Sequence, residues 1–157
     1  MHSISAVELL AREAGALALS HFKALGSVSV ESKGHLDLVT AADQDVERFL
    51  TEGLVKIFPN DGIFGEEGAA HQGNSGRTWV IDPIDGTFNF VRGGDQWAIS
   101  IGLYESAQPI FGVIFVPLRE QLLVGGVGLQ STLNGELIAQ RRGCLLYTSP
   151  SPRDEVL

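Results

Sequence analysis

Apolar residues recur at helical spacing in two stretches of the N-terminal third of the chain. The first predicts a helix over Ser5–Leu25, with a Ser5-x-x-Glu8 capping box and a stop at Gly26. The second predicts a helix that Thr40 caps and that runs to Phe58. The apolar stripe of this second helix consists of Val46, Phe49, Leu50, Leu54 and Ile57.

Shorter apolar runs dominate the rest of the chain and predict strands. These runs are Ile63-Phe64, Trp79-Val80-Ile81, Gln96–Tyr104, Ile110–Val116 and Gln121–Val127, with a further short strand over Val28–Ser32 and loops over Lys33–Leu36 and Ala69–Gly76. Short connections join the runs Gln96–Tyr104, Ile110–Val116 and Gln121–Val127 and favour antiparallel pairing between them. Two helices followed by such a meander predict a layer of helices on a sheet.

Four carboxylates follow two of the short runs. Glu66 and Glu67 come shortly after the first, and Asp82 and Asp85 follow the second. A strand end holds a side chain rigidly, and clustered carboxylates repel one another unless a cation neutralises them. Because oxygen ligands suit Mg²⁺ or Mn²⁺ better than zinc, the sequence predicts a divalent-cation site.

The segment from Asp82 to Thr87 also offers groups that bind anions. Pro83 fixes φ, so that Ile84 can turn its carbonyl toward the same ion. Gly86 lets a ligand approach the backbone, and a helix beginning at Thr87 exposes N–H groups to an anion. Cation and anion sites side by side are what phosphoester hydrolysis requires.

The charge balance narrows the class of protein. The chain has 19 acidic and 11 basic residues and a net charge of −8, and between Asp37 and Asp85 ten acids face three bases. This excess of negative charge argues against nucleic-acid binding.

No stretch of the sequence reaches the length of a membrane span. A single cysteine and no visible secretory signal predict a cytoplasmic protein.

These motifs resemble those of the inositol monophosphatase family of Mg²⁺-dependent, lithium-sensitive phosphatases. The matching blocks are Asp37–Asp43, Gly65-Glu66-Glu67, Trp79–Phe90 and Leu133-Asn134-Gly135, in the family's order and spacing. The resemblance implies an α/β fold with α+β layering, namely the N-terminal part of the αβαβα sandwich shared with fructose-1,6-bisphosphatase. It also implies two or three Mg²⁺ ions in the complete enzyme, a small-molecule phosphate monoester as substrate, and a homodimer at full length.

By the same resemblance, the acids and one carbonyl group bind metal. Asp82 bridges two ions, and Asp85 binds the second ion while facing the substrate. Glu66 binds the first ion and orients the attacking water, whereas Glu67 polarises a water or holds a weaker third ion. Ile84 gives its backbone carbonyl to the first ion. The alternative for Asp82 and Asp85 is an Asp-rich turn before a helix, and the alternative for Glu66 and Glu67 is a solvent-facing acidic turn.

The remaining roles concern water and phosphate. Thr87 hydrogen-bonds the nucleophilic water, and the amides of Gly86 and Thr87 hold phosphate oxygens. Asp43 belongs to the water network around the metal; its alternative is an acid near a helix N-terminus, favoured by the dipole. Phe88-Asn89-Phe90 favours inositol monophosphate or a related sugar or polyol phosphate. Histidinol phosphate and fructose bisphosphate stay open, and a nucleotide 3′-phosphatase is less favoured.

The C-terminal residues have a different origin in our interpretation. Cys144–Asp154 resembles the translation of a transposase sequencing adapter, whereas a disordered Ser/Pro tail is the alternative. We therefore expect residues 1–143 to be the N-terminal α+β half of a phosphatase domain and residues 144–157 to be a non-native tail. Because family members carry a second half with another metal-binding aspartate, the second hypothesis is a truncated, non-catalytic fragment.

Overall fold

The computed structural model describes residues 2–26 and 34–138, with side chains described for residues 4–26 and 39–138. The helices are α1 (His2–Leu25), α2 (Gly34–Ile57) and α3 (Thr87–Val91), with a 3₁₀ turn at Pro117–Arg119. The strands are β1 (Gly62–Gly65), β2 (Ala70–His71), β3 (Arg77–Asp85), β4 (Ala98–Glu105), β5 (Gln108–Val116), β6 (Gln121–Gly126), β7 (Leu129–Leu133) and β8 (Glu136–Leu137).

All of these strands form one sheet in the order β2-β1-β3-β4-β5-β6-β7-β8. Strands β1 and β3 are parallel, and every other neighbouring pair is antiparallel. The predicted meander over β4, β5 and β6 is confirmed. Strand β2 lies in the segment predicted as a loop, and β7 and β8 were not predicted, because these strands are short or polar and depend on their neighbours for pairing.

The two long helices cover one face of the sheet. Helix α1 packs on β4 and β5, and α2 packs on β3. The predicted stripe of α2 is confirmed, since Val46, Leu50 and Leu54 are fully buried. The predicted start of α2 is wrong: the helix begins at Gly34, so the loop expected up to Leu36 is helical and Thr40 lies inside the helix. Buried Ala42 and Val39 extend the apolar stripe toward the N-terminus, to one residue before the predicted start.

The two faces of the sheet differ in exposure. Toward the helices, Trp79, Ile81, Ile99 and Ile101 are buried, and Trp79 stacks on Phe58. On the opposite face the large side chains of Phe64, Val80 and Ile114 are exposed, Phe64 by 60%. The helix-on-sheet layering is thus confirmed for the part of the chain that the structure describes.

Two predictions fall outside the described residues: the strand over Val28–Ser32 and the tail over residues 144–157. Among the described helices, none combines the length and the apolar character that crossing a membrane requires.

Candidate active site

The candidate site lies where the parallel strands β1 and β3 end. Gly65 at the end of β1 is paired with Ile81 in β3. Because parallel strands present their carboxyl ends at the same edge of a sheet, Glu66 after β1 and Asp82 after Ile81 meet there. Asp82 and Asp85 still belong to β3, so the strand is longer than the apolar run that predicted it.

A β-bulge lies between Asp82 and Asp85 and changes the relative direction of their side chains. Asp82 faces Ser100 and Asp85 faces Ala98 on β4, so three steps along β3 match two steps along β4. In a regular strand, side chains three residues apart point to opposite faces. The extra residue breaks this alternation, as bulges do beside functional sites. Asp82 is half-buried and Asp85 is exposed at the rim.

The acids from three elements share one electrostatic environment. We call Asp43, Glu66, Glu67, Asp82 and Asp85 the carboxylate cluster. Asp43 lies on α2 and is buried, whereas Glu66 and Glu67 are exposed on the turn after β1. The backbone turns at Glu66 and Glu67, and Gly68 after them has a positive φ of 109°.

Burial and mutual repulsion perturb two members of the cluster. Burial raises the pKa of Asp43 from 3.8 to about 7, and the charges of Glu67 and Glu66 add to this effect. The pKa of Asp82 is also raised to about 7. Burial is the largest cause, and a hydrogen bond to Glu66 and the negative charges of Glu66, Asp85 and Asp43 contribute to the rise. Strongly shifted carboxyl groups that converge from different elements are typical of functional sites.

These shifts predict how pH changes the stability of the chain in EDTA. Between pH 3.8 and about 7 the folded protein holds protons on Asp43 and Asp82 that the unfolded chain has released. The two groups therefore stabilise the fold fully below pH 3.8, and this contribution is lost as the pH rises through 7. Melting temperatures in EDTA should accordingly fall from pH 5 to pH 8. A melting temperature that rises over this range would contradict the assignment.

The fit of a divalent cation rests on Asp82. Its Oδ1 atom is buried and has no hydrogen-bond partner. Burying a carboxylate oxygen without a hydrogen-bond donor is unfavourable unless a proton or a cation binds to it. Hard carboxylate oxygens suit Mg²⁺. Among the side chains that the structure describes, over residues 4–26 and 39–138, no three of His, Cys, Asp or Glu lie close enough together to complete a metal-binding group. The joint coordination of one ion by these acids is therefore a proposal.

After Asp85 the backbone turns at Gly86 into a short helix. Gly86 has a φ of 94° and precedes α3, which begins at Thr87 as predicted. The hydroxyl of Thr87 donates to the carbonyl oxygen of Ile84 at 3.0 Å. Because a carbonyl oxygen has two lone pairs, Ile84 keeps one for a cation, and Thr87 Oγ1 keeps lone pairs that accept from a water.

Glu47 is the residue near the cluster that sequence reasoning missed. It is buried on α2 one turn after Asp43. Its carboxylate accepts hydrogen bonds from the turn that carries Glu66 and Glu67. The available signal was an acid inside the apolar stripe, since Glu47 lies three residues before buried Leu50 and seven before buried Leu54.

Not every acid of the Asp37–Asp85 segment surrounds the site. Asp61 is buried and accepts hydrogen bonds from Trp79 Nε1 at 3.0 Å and from Arg77. Asp45 pairs with Arg48 on the surface of α2. The negative charge counted along the sequence is thus partly neutralised away from the carboxylate cluster.

Comparison with known proteins agrees with this geometry. The model of the inositol monophosphatase family matches residues 2–152. This chain belongs to the inositol monophosphatase family. The matched range extends into residues 144–152, so the boundary predicted at residue 143 stays a prediction.

Individual relatives share both sequence and fold. Nus factor SuhB of Xylella fastidiosa is 39% identical over 149 residues, which cover 92% of this chain and 54% of that protein. A histidinol-phosphatase of Chlorobaculum parvum is 38% identical over 126 residues, covering 80% and 48%. The crystal structure of inositol monophosphatase-II from Staphylococcus aureus MSSA476 matches with a TM-score of 0.75 and 30% identity, covering 92% and 54%. The chain spans about half the length of the relatives it matches.

Proposed function

We propose that this chain provides the N-terminal half of a Mg²⁺-dependent phosphomonoesterase site. The observation that carries the proposal is the half-buried Asp82, whose unpartnered Oδ1 lies among the negative charges of Glu66, Asp85 and Asp43. Such a site is stable at neutral pH only with a proton or a cation in it. The family match and the adjoining Gly86-Thr87 turn favour the cation and a phosphate ester.

The proposed ligands are Glu66, Asp82, Asp85 and the carbonyl oxygen of Ile84, with Glu67 beside a further ion. Bound Mg²⁺ would supply a water that deprotonates near neutral pH and positive charge beside the reacting phosphate. Glu66 and Thr87 would orient that water through hydrogen bonds, Glu66 from the turn after β1. Thr87 acts as the acceptor, since its proton is donated to Ile84.

The protein's own contribution to phosphate binding comes from the bulged end of β3. The amides of Gly86 and Thr87 would donate to phosphate oxygens, and Asp85 at the exposed rim would face the alcohol part of the substrate. Asp43 would act through the water network around the ions, because it is buried and its pKa is influenced by the charges of Glu67 and Glu66.

For substrate class we favour inositol monophosphate or a related sugar or polyol phosphate. The relative from Staphylococcus aureus is named an inositol monophosphatase, whereas that from Chlorobaculum parvum is named a histidinol-phosphatase. Both substrates are small phosphate monoesters of alcohols. A cytoplasmic location and the homodimer implied by the resemblance are proposed only for the full-length protein.

The second candidate is a fragment that binds a cation without turnover. It is favoured by coverage of only 54% of the SuhB relative and by the exposed Phe64, Val80 and Ile114 on one sheet face. Exposed apolar surface of this kind marks a missing partner or an aggregation site.

Phosphate release from inositol monophosphate, with Mg²⁺ and with EDTA, tests both candidates. This chain is compared with a version extended by the remaining residues of its parent gene, and histidinol phosphate and fructose bisphosphate are assayed alongside. We expect Mg²⁺-dependent release by the extended version and none by the 157-residue chain. Release that persists in EDTA, or no release from any of these esters, would contradict the proposed function.

A further inference from the structure

The carboxylate of Glu47 joins α2 to the turn after β1. Its Oε2 accepts the N–H of Glu67 at 2.7 Å, and its Oε1 accepts the N–H of Ala69 at 2.7 Å. The residue is only 4% exposed. Two charge-assisted hydrogen bonds of this length, from neighbouring amides to one carboxylate, fix both the position and the orientation of the turn.

The backbone of the turn is fitted to this carboxylate. A Cβ atom added at Gly65 would lie 2.3 Å from Glu47 Oε2 and 2.5 Å from Glu47 Cδ. Gly65 therefore leaves the room that Glu47 occupies, although no left-handed conformation requires glycine there. The N–H of Gly65 donates to the carbonyl of Ala69 at 2.7 Å and closes the base of the same turn.

The opposite side of the turn is held by β3. The N–H of Glu66 donates to the carbonyl of Ile81 at 3.3 Å, directly before Asp82. Glu47 and Ile81 thus hold the turn from two sides, and Glu66 is placed between them and next to Asp82. Both oxygens of Glu47 are engaged by backbone N–H groups, which suits a support of the turn better than a ligand of an ion.

We propose that Glu47 is a positioning residue, which holds the Glu66-Glu67 turn in the conformation that lets Glu66 join Asp82 in binding a divalent cation. This inference rests on the proposed metal site. Supporting groups behind metal ligands commonly change metal affinity by 10–100-fold when they are removed. An exposed acid would have no such effect.

The test is Glu47→Gln in the 157-residue chain, with Glu52→Gln as the matched control. Glu52 is an exposed acid on the same helix, so both variants lose one negative charge. The first readout is amide hydrogen exchange at Glu67 and Ala69 by NMR in EDTA. The second readout is the Mg²⁺ concentration that gives half of the maximal thermal stabilisation.

For Glu47→Gln we expect exchange at one or both amides to accelerate about tenfold, because the carboxamide NH₂ cannot accept, and the half-maximal Mg²⁺ concentration to rise at least about tenfold. Glu52→Gln should leave both unchanged. If Glu47→Gln does not fold, Gly65→Ala provides the second variant, because it displaces the carboxylate while keeping its charge, and the same two changes are expected.

Three outcomes would overturn the inference. Exchange at Glu67 and Ala69 that is unchanged would show that Glu47 does not hold the turn. Faster exchange with an unchanged Mg²⁺ response would show that the turn does not serve the metal. A wild-type chain that does not respond to Mg²⁺ at all would overturn the proposed metal site and the inference with it.

Discussion

Replacing Asp82 by asparagine is expected to stabilise this chain in EDTA at pH 8 and to abolish its stabilisation by Mg²⁺. The first effect follows because burial and Glu66 raise the pKa of Asp82 to about 7, so that its ionisation at pH 8 weakens the fold. The neutral amide has nearly the same shape and avoids this cost. Because Asp82 is only half-buried, we expect a gain of about 1 kcal/mol, or roughly 2–4 °C in melting temperature.

The second effect follows because Asp82 is the proposed shared ligand. Asparagine lacks the charge that attracts the cation, so Mg²⁺ should no longer raise the melting temperature. In the extended protein, phosphate release should fall about a thousandfold, since a metal supplies several kcal/mol of transition-state stabilisation. The opposite signs in EDTA and in Mg²⁺ distinguish a metal ligand from a structural aspartate.

Asp95→Asn is the control for charge alone. Asp95 is exposed and pairs with Arg119 at 3.0 Å, outside the carboxylate cluster. Its substitution should leave the melting temperature in EDTA and the response to Mg²⁺ nearly unchanged. Differential scanning fluorimetry at pH 8 measures the melting temperatures in EDTA and in Mg²⁺ for all of these variants. An Asp82→Asn variant that Mg²⁺ stabilises as well as the wild type would rule Asp82 out as a ligand.

Gly86→Ala is expected to destabilise the fold by about 3 kcal/mol and to lower phosphate release by the extended protein. The φ of 94° at Gly86 costs a residue with a side chain roughly 1–2 kcal/mol. In addition, a Cβ atom would lie 2.6 Å from the carbonyl oxygen of Gln96 and 3.2 Å from Trp97 Cα. Backbone atoms cannot move aside as a flexible side chain does, and this overpacking costs a further 1–3 kcal/mol, roughly.

Gly93→Ala separates the two causes. Gly93 also has a positive φ, of 72°, but a Cβ atom there would meet nothing within 4 Å. We therefore expect a loss of only about 1–2 kcal/mol from the backbone conformation. Urea unfolding of both variants measures the difference. Equal losses would mean that the close approach of Gly86 to Gln96 and Trp97 carries no cost.

Local sequence patterns were sufficient to predict much of this fold. The period of the apolar residues predicts most of α1 and the buried face of α2, and the Asp82–Thr87 segment predicts where α3 begins. The predicted start of α2 was wrong because Thr40 is a good capping residue by itself, whereas the helix begins at Gly34 and passes through buried Val39 before it reaches Thr40. Strand β2 has two residues, and its pairing with β1 gives it its structure.

The environment of the site could be predicted less well, because it depends on contacts between distant residues. The bulge between Asp82 and Asp85 exists only in the pairing with β4. The role of Glu47 depends on hydrogen bonds to residues 20 and 22 positions later in the chain. Asp61 looks equivalent to the other acids in the sequence, and only its bond to Trp79 Nε1 shows that it belongs to the core.

The parallel pairing of β1 with β3 has a consequence for the order of events during synthesis. All members of the carboxylate cluster lie between Asp43 and Asp85, on α2, on the turn after β1 and on β3. This stretch is therefore synthesised before β4 to β8. Because the bulge between Asp82 and Asp85 forms only against β4, the complete cluster can take up a cation only after β4 has paired with β3.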